Sequence, residues 1–183
     1  NQYFASRRIA EAIAERLKQP DGPEFVLVNP VAADGWLEEE VMGPARAQLM
    51  ASLAKLPGAH RFRIYTPVNE GGDDIYVHAK ITVVDDRLLR VGSSNMNNRS
   101  MGLDSECDLA IDCALPGNER FGGTIEAIRC DLMGEHLGVA PGRVRSVLAE
   151  SGSLLHTVEA LRSDGRSLRR FIPPDFSALE HQV

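Results

Sequence analysis

His78-Ala79-Lys80, then Asp85, then Gly92-Ser93-Ser94-Asn95 is the stretch whose reading decides this chain. It gathers an imidazole, an ammonium, a carboxylate and a carboxamide between positions 78 and 95. Around it, Ile75, Val77, Ala79, Ile81 and Val83 alternate with Tyr76, His78, Lys80 and Thr82. That is the period of a strand with one packed face. The pattern predicts one strand over 75–84 and another over 88–91, joined at Asp85-Asp86-Arg87. With the apolar set turned toward a helix layer, His78 and Lys80 stand side by side on the opposite face. Their Cβ atoms are then roughly 7 Å apart, about two residues of strand rise.

Nothing in a packing argument requires a polar pair there, so the chemistry of the set has to be asked. A phosphodiester is negatively charged and repels nucleophiles. Without a metal, a catalyst needs cationic or N–H donors on its non-bridging oxygens. It also needs a nucleophile and an acid for the leaving oxygen, and imidazole serves either role near neutral pH. Lys80 supplies a point charge, Asn95 an amide donor and Ser93 a hydroxyl. A carboxylate is wanted to orient an imidazole, and Glu106 is the candidate, at the entrance to the next strand. Asp73-Asp74 and Asp85-Asp86 are read as loop and turn acids rather than a metal site.

Working outward, Ile9, Ala12, Ile13 and Leu17 recur at helical spacing until Pro20-Asp21-Gly22-Pro23 ends the pattern. Phe25-Val26-Leu27-Val28 reads as a strand buried on both faces. Val41, Ala45, Leu49 and Leu53 mark a second helix, and Arg61 to Tyr65 a further strand. After the hairpin, Cys107 to Cys113 alternates as a strand, and Phe121, Ile125, Ile128 and Leu132 give a third amphipathic helix. The order predicts a layered α/β domain with a mixed sheet flanked by helices. Beyond Gly138, residues 139–183 read as a helical extension. Arg166, Arg169 and Arg170 form a basic patch there, taken as part of a solvated element packed on the domain.

The chain has 183 residues, 43% hydrophobic and 25% charged, with a formal net charge of −6. This is ordinary for one globular domain. The acidic balance disfavours a general nucleic-acid binder, which needs a basic surface to release counterions. Cys107, Cys113 and Cys130 have neither zinc nor framework spacing and are expected as buried thiols. No apolar run approaches the ~18 residues of a membrane span, so membrane contact would be peripheral. The chain opens on Asn1-Gln2-Tyr3-Phe4 and runs straight into helical pattern, as if cut from something longer. The compartment is left open.

The pattern His78-x-Lys80-x4-Asp85-x6-Gly92-Ser93-x-Asn95, followed by Glu106, resembles the HKD signature of the phospholipase D superfamily. Ile75-Tyr76-Val77, Asn97-Asn98-Arg99-Ser100-Met101 and Leu132-Met133-Gly134-Glu135-His136-Leu137-Gly138 resemble the C-terminal half of two-motif members. The resemblance covers residues 1–138 and implies a layered α/β/α domain of the phospholipase D/nuclease type. It implies a metal-free, cofactor-free reaction through a phosphohistidine. One motif histidine attacks phosphorus and the other protonates the leaving alcohol. Carried over, His78 is the general acid, Lys80, Ser93 and Asn95 hold phosphate oxygens, Asp85 braces the hairpin turn, and Glu106 pairs with a histidine across the site. The chain has a single His-x-Lys; His60, His136, His156 and His181 lack it. The site is therefore expected to need the N-terminal half of the same protein, or a second copy in a homodimer. Phospholipid is the expected substrate. The alternatives are a single-motif nuclease-type phosphodiesterase, a cardiolipin-synthase-like transferase and a non-catalytic phosphate-binding module.

Overall fold

The computed structural model describes residues 4–31 and 36–172, with backbone alone for 36–44. In chain order the elements are β1 (Phe4–Ala5), α1 (Arg7–Leu17), β2 (Phe25–Val28), α2 (Trp36–Leu53) and β3 (Phe62–Val68). The hairpin follows as β4 (Lys80–Val84) and β5 (Leu88–Gly92), then β6 (Met96–Asn97), α3 (Asn98–Gly102) and β7 (Asp108–Asp112). The chain continues through α4 (Gly122–Leu137), α5 (Pro141–Ser151) and α6 (Leu154–Leu161) to β8 (Ser167–Arg170). This is a mixed α/β protein whose sheets are flanked by helices.

The strands pair in three groups: β1-β6, β2-β3-β8 and β4-β5-β7. The second is the mixed one, because β3 runs parallel to β2 and antiparallel to β8. The third is wholly antiparallel and carries the hairpin.

The first helix starts where the Ser6 hydroxyl accepts the Ile9 N–H, and it buries Ala10, Ile13 and Leu17. Its C-terminus is held by Arg61, whose guanidinium donates to the carbonyls of Leu17 (2.9 Å), Gln19 (2.6 Å), Pro20 (2.9 Å) and Gly22 (2.7 Å). One cation thus satisfies the carbonyls that a helix end leaves open. Phe4, Leu27, Phe62 and Ile64 complete this core.

A second core joins Tyr65, Leu137, Leu155, Val158 and Leu168. The segment expected as a helical extension therefore supplies two helices and also a strand, β8, which closes the sheet edge at β3. Its arginines are engaged: Arg166 with Glu135, Arg169 with Asp74, and Arg170 with Glu159. The Tyr65 hydroxyl donates to Glu159 at 2.6 Å, and Arg162 and Arg170 each reach that carboxylate at 2.8 Å. Burial pushes the Glu159 carboxyl up, but the hydrogen bonds from Arg170, Tyr65 and Arg162 outweigh it and hold it at about 2. A depressed carboxyl contributes stability that is complete above its unfolded value of 4.5 and is lost as pH falls toward 2. Denaturant melts of wild type and Glu159→Gln should therefore differ by a pH-dependent part of about 2 kcal/mol, discounted for partial exposure. That part is expected to be full at pH 6 and mostly gone near pH 2. A difference unchanged over this range would exclude the network as its source.

Three local expectations are corrected. The strand predicted over 75–84 is regular only from Lys80, and residues 75–79 run outside the ladder. Within it Ala79 is exposed while Lys80 is buried, the reverse of the predicted faces. Among the cysteines only Cys130 is buried; Cys113 is half-buried, Cys107 is exposed, and all three are free thiols.

Candidate active site

The antiparallel register builds the site. Lys80 lies opposite Gly92, which lies opposite Asp108, so the first residue of β4 and the last of β5 meet the start of β7. His78 precedes this rung, and Ser93 to Asn95 follow it. An open cavity of about 490 Å³ results, lined by His78, Ala79, Lys80, Ile81, Val91, Gly92, Ser93 and Asn95. His78 is the only histidine in that lining.

The Lys80 ammonium sits 3.1 Å from His78 Nδ1 and 3.0 Å from Nε2, and it donates to the His78 carbonyl at 2.7 Å. Whichever ring nitrogen bears the lone pair has this cation beside it. Lys80 is only 7% exposed. Burial pulls its pKa down, and the Glu106 carboxylate opposes that pull. Tyr76 stacks on the imidazole with ring centroids 6.0 Å apart.

Glu106 organises the other wall. It accepts from Ser93 Oγ at 2.5 Å, and the same Ser93 oxygen accepts the Cys107 N–H at 3.0 Å. Hydrogen bonds from the Ser100 and Ser93 hydroxyls hold its carboxyl below the usual range. Ser100 Oγ in turn accepts the Asn95 N–H at 3.0 Å. The carboxylate sought for an imidazole is thus bonded to the hydroxyls that set Ser93 and the Asn95 backbone.

Asp85, grouped with these residues on spacing, lies at the far end of β4, about five strand residues or roughly 16 Å from Lys80. Its φ of 49° makes it the left-handed corner of the Val84–Arg87 turn, a region that Asp tolerates better than most residues. Its carbonyl accepts from Arg129 at 2.8 Å, and Arg129 also pairs with Asp86. Its place is the turn, and the structure does not bring it to the cavity. Ser94, Arg90, Asp108 and Ser100 were not foreseen as site residues, although all touch the Ser93–Asn95 loop. Among the described residues no group of three or more His, Cys, Asp or Glu is placed to hold a metal ion.

The cavity of this mixed α/β protein thus brings together an ammonium, an imidazole and amide and hydroxyl donors. The sequence profile of the family described as phospholipase D matches residues 54–180, and the chain belongs to that family. It is 37% identical over 82 residues to phospholipase D zeta 2 of Arabidopsis thaliana, covering 40% of this chain and 8% of that protein. It is 42% identical over 74 residues to phospholipase D1 of Schizosaccharomyces pombe, covering 36% and 5%. The chain therefore spans under a tenth of these relatives' length in the matched region. Among solved structures, NucT from Helicobacter pylori is similar at a TM-score of 0.42 and 18% identity, over 60% of this chain and 62% of that one.

Proposed function

We propose that this chain is the C-terminal catalytic half of a phospholipase D-like phosphodiesterase or phosphatidyltransferase that works through a phosphohistidine. The carrying observation is a cavity lined by His78, Lys80, Ser93 and Asn95, with the His78 ring against the Lys80 ammonium. Lys80, Ser93 and Asn95 bind the non-bridging oxygens, offsetting the charge that builds up at phosphorus. A histidine from the completing half attacks phosphorus, and the bond to the headgroup oxygen breaks. His78 delivers its ring proton to that oxygen. It then takes a proton from the incoming water or alcohol, which displaces the histidine and releases phosphatidic acid or a new phospholipid.

A phospholipid is favoured over a polynucleotide by the cavity's own wall. Ile81 and Val91 line the cavity, and Leu109, outside the lining, extends their cross-strand rung on the same sheet face. Val91 is 46% exposed and Leu109 77% exposed. An apolar wall beside an oxyanion grip suits an amphiphile.

The completing half is the N-terminal HKD half of the same protein or, in the alternative, a second copy. Presented with phosphatidylcholine vesicles, the monomeric 183-residue chain is expected to release no phosphatidic acid. Adding the partner half, or forcing a dimer, should restore release. Robust turnover by strictly monomeric chain overturns the half-site reading. Turnover of single-stranded DNA but not lipid, offered in parallel to the completed enzyme, overturns the substrate.

A further inference from the structure

The Gly92–Asn95 loop is held on two sides, and only one of them is accounted for by Glu106. On the opposite side Asp108 reaches across Gly92. Its carboxylate accepts the Ser94 hydroxyl, and Oδ1 accepts the Ser94 N–H at 3.3 Å. Arg90 pairs with the same carboxylate at 2.9 Å and donates to the Ser94 carbonyl at 3.4 Å. Ser94 is thus held at its hydroxyl, its amide and its carbonyl, and it is buried.

We propose that Asp108, braced by Arg90, is a positioning residue that sets the phosphate grip by fixing Ser94 and with it the directions of Ser93 and Asn95. Ser93 and Asn95 line the cavity, and Ser94 between them does not. Pinning Ser94 away from the cavity therefore presents Ser93 and Asn95 toward it. A grip for an oxyanion works only if its donors are fixed before the ligand arrives, since loose donors must be ordered on binding. Ser93 keeps its Glu106 bond without the clamp, but the backbone carrying Asn95 then has one fewer anchor.

The proposal rests on the phosphate-binding reading above, and the test separates the two. The probe is inorganic phosphate, titrated into the 183-residue chain while amide shifts of Ser93 and Asn95 are followed by NMR. Lys80→Ala, which removes the cation, tests the reading itself and is expected to abolish the shifts. Asp108→Asn tests the clamp and is expected to weaken phosphate binding about tenfold. Ser94→Ala should cost the same, and the double variant no more than either alone. Asp112→Asn is the control: Asp112 pairs with Arg87 at 3.2 Å at the other end of the same strand pair. It should lower melting temperature comparably and leave phosphate affinity unchanged. Equal weakening by Asp108→Asn and Asp112→Asn would reduce Asp108 to a general structural role. Unchanged affinity in Asp108→Asn, with the shifts abolished in Lys80→Ala, overturns the clamp and spares the reading. Absence of binding by the unaltered chain overturns both.

Discussion

In an enzyme carrying both halves of the site, His78→Ala lowers kcat for phosphatidylcholine by at least about 10³-fold while KM moves little. The expected size follows from two uses of one ring, as acid for the leaving oxygen and then as base for the incoming one. The small change in KM follows from where phosphate is held. In the proposed function the cation belongs to Lys80 and the donors to Ser93 and Asn95, so the ground-state grip is expected to survive loss of the imidazole. The variant should also fold, because His78 is exposed and its ring meets Tyr76 and the Lys80 ammonium rather than the core. A melting temperature close to wild type is the control that separates chemistry from stability. The decisive form of the experiment varies the leaving group. A substrate releasing p-nitrophenol needs little help from an acid, so the variant should give one burst and stop with the phosphoryl group on the other histidine. Label recovered on His78 in the wild-type enzyme would reverse the two roles. A variant retaining a tenth or more of kcat would remove His78 from the chemistry.

The local periods were enough to find α1, whose Ile13 and Leu17 are buried as their spacing requires, and to find the β4–β5 hairpin. They failed where pairing, rather than pattern, decides. Ile75 and Val77 continue the alternation of β4, yet β5 stops at Gly92 opposite Lys80 and offers no partner further back. At its start the 75–79 segment instead meets β3, with the Ile75 N–H on the Pro67 carbonyl at 2.8 Å. The predicted Cys107–Cys113 strand exists over Asp108–Asp112, but its apolar Leu109 faces outward because nothing in the described structure covers that end of the sheet. Arg166, Arg169 and Arg170 read as a solvated basic patch, which gives no sign of the strand Ser167–Arg170. Its pairing with Tyr65–Val68 crosses about a hundred residues and leaves no local trace. The same limit hid Asp108 from the candidate site. From the motif alone Ser94 is a spacer, and only the β5–β7 register reveals what holds it.

Gly92→Ala should be the most damaging single-methyl change on this hairpin, costing about 3 kcal/mol or more and abolishing phosphate binding. The reason is space and not backbone freedom, because Gly92 is absent from the residues with left-handed φ. A Cβ built at Gly92 overlaps Asp108 Oδ1 and comes within 2.5 Å of the Cys107 carbonyl oxygen and 2.6 Å of Asp108 Cα. The first of these obstacles is a side chain that can turn away, at the expense of the Ser94 clamp. The other two are backbone on a paired strand. To relieve them β7 must move off β5 at the point where the Ser93 N–H meets the Cys107 carbonyl at 3.1 Å. That motion loosens Ser93, Glu106 and Asp108 together. The two effects can be separated by adding Asp108→Ala to Gly92→Ala, which removes the side-chain overlap and keeps the backbone one. If backbone crowding dominates, the double variant stays as unstable as Gly92→Ala. If it recovers most of the lost stability, the carboxylate crossing over Gly92 is the obstacle. A Gly92→Ala chain that melts within about 0.5 kcal/mol of wild type would show that the β5–β7 spacing at this rung is wider than described.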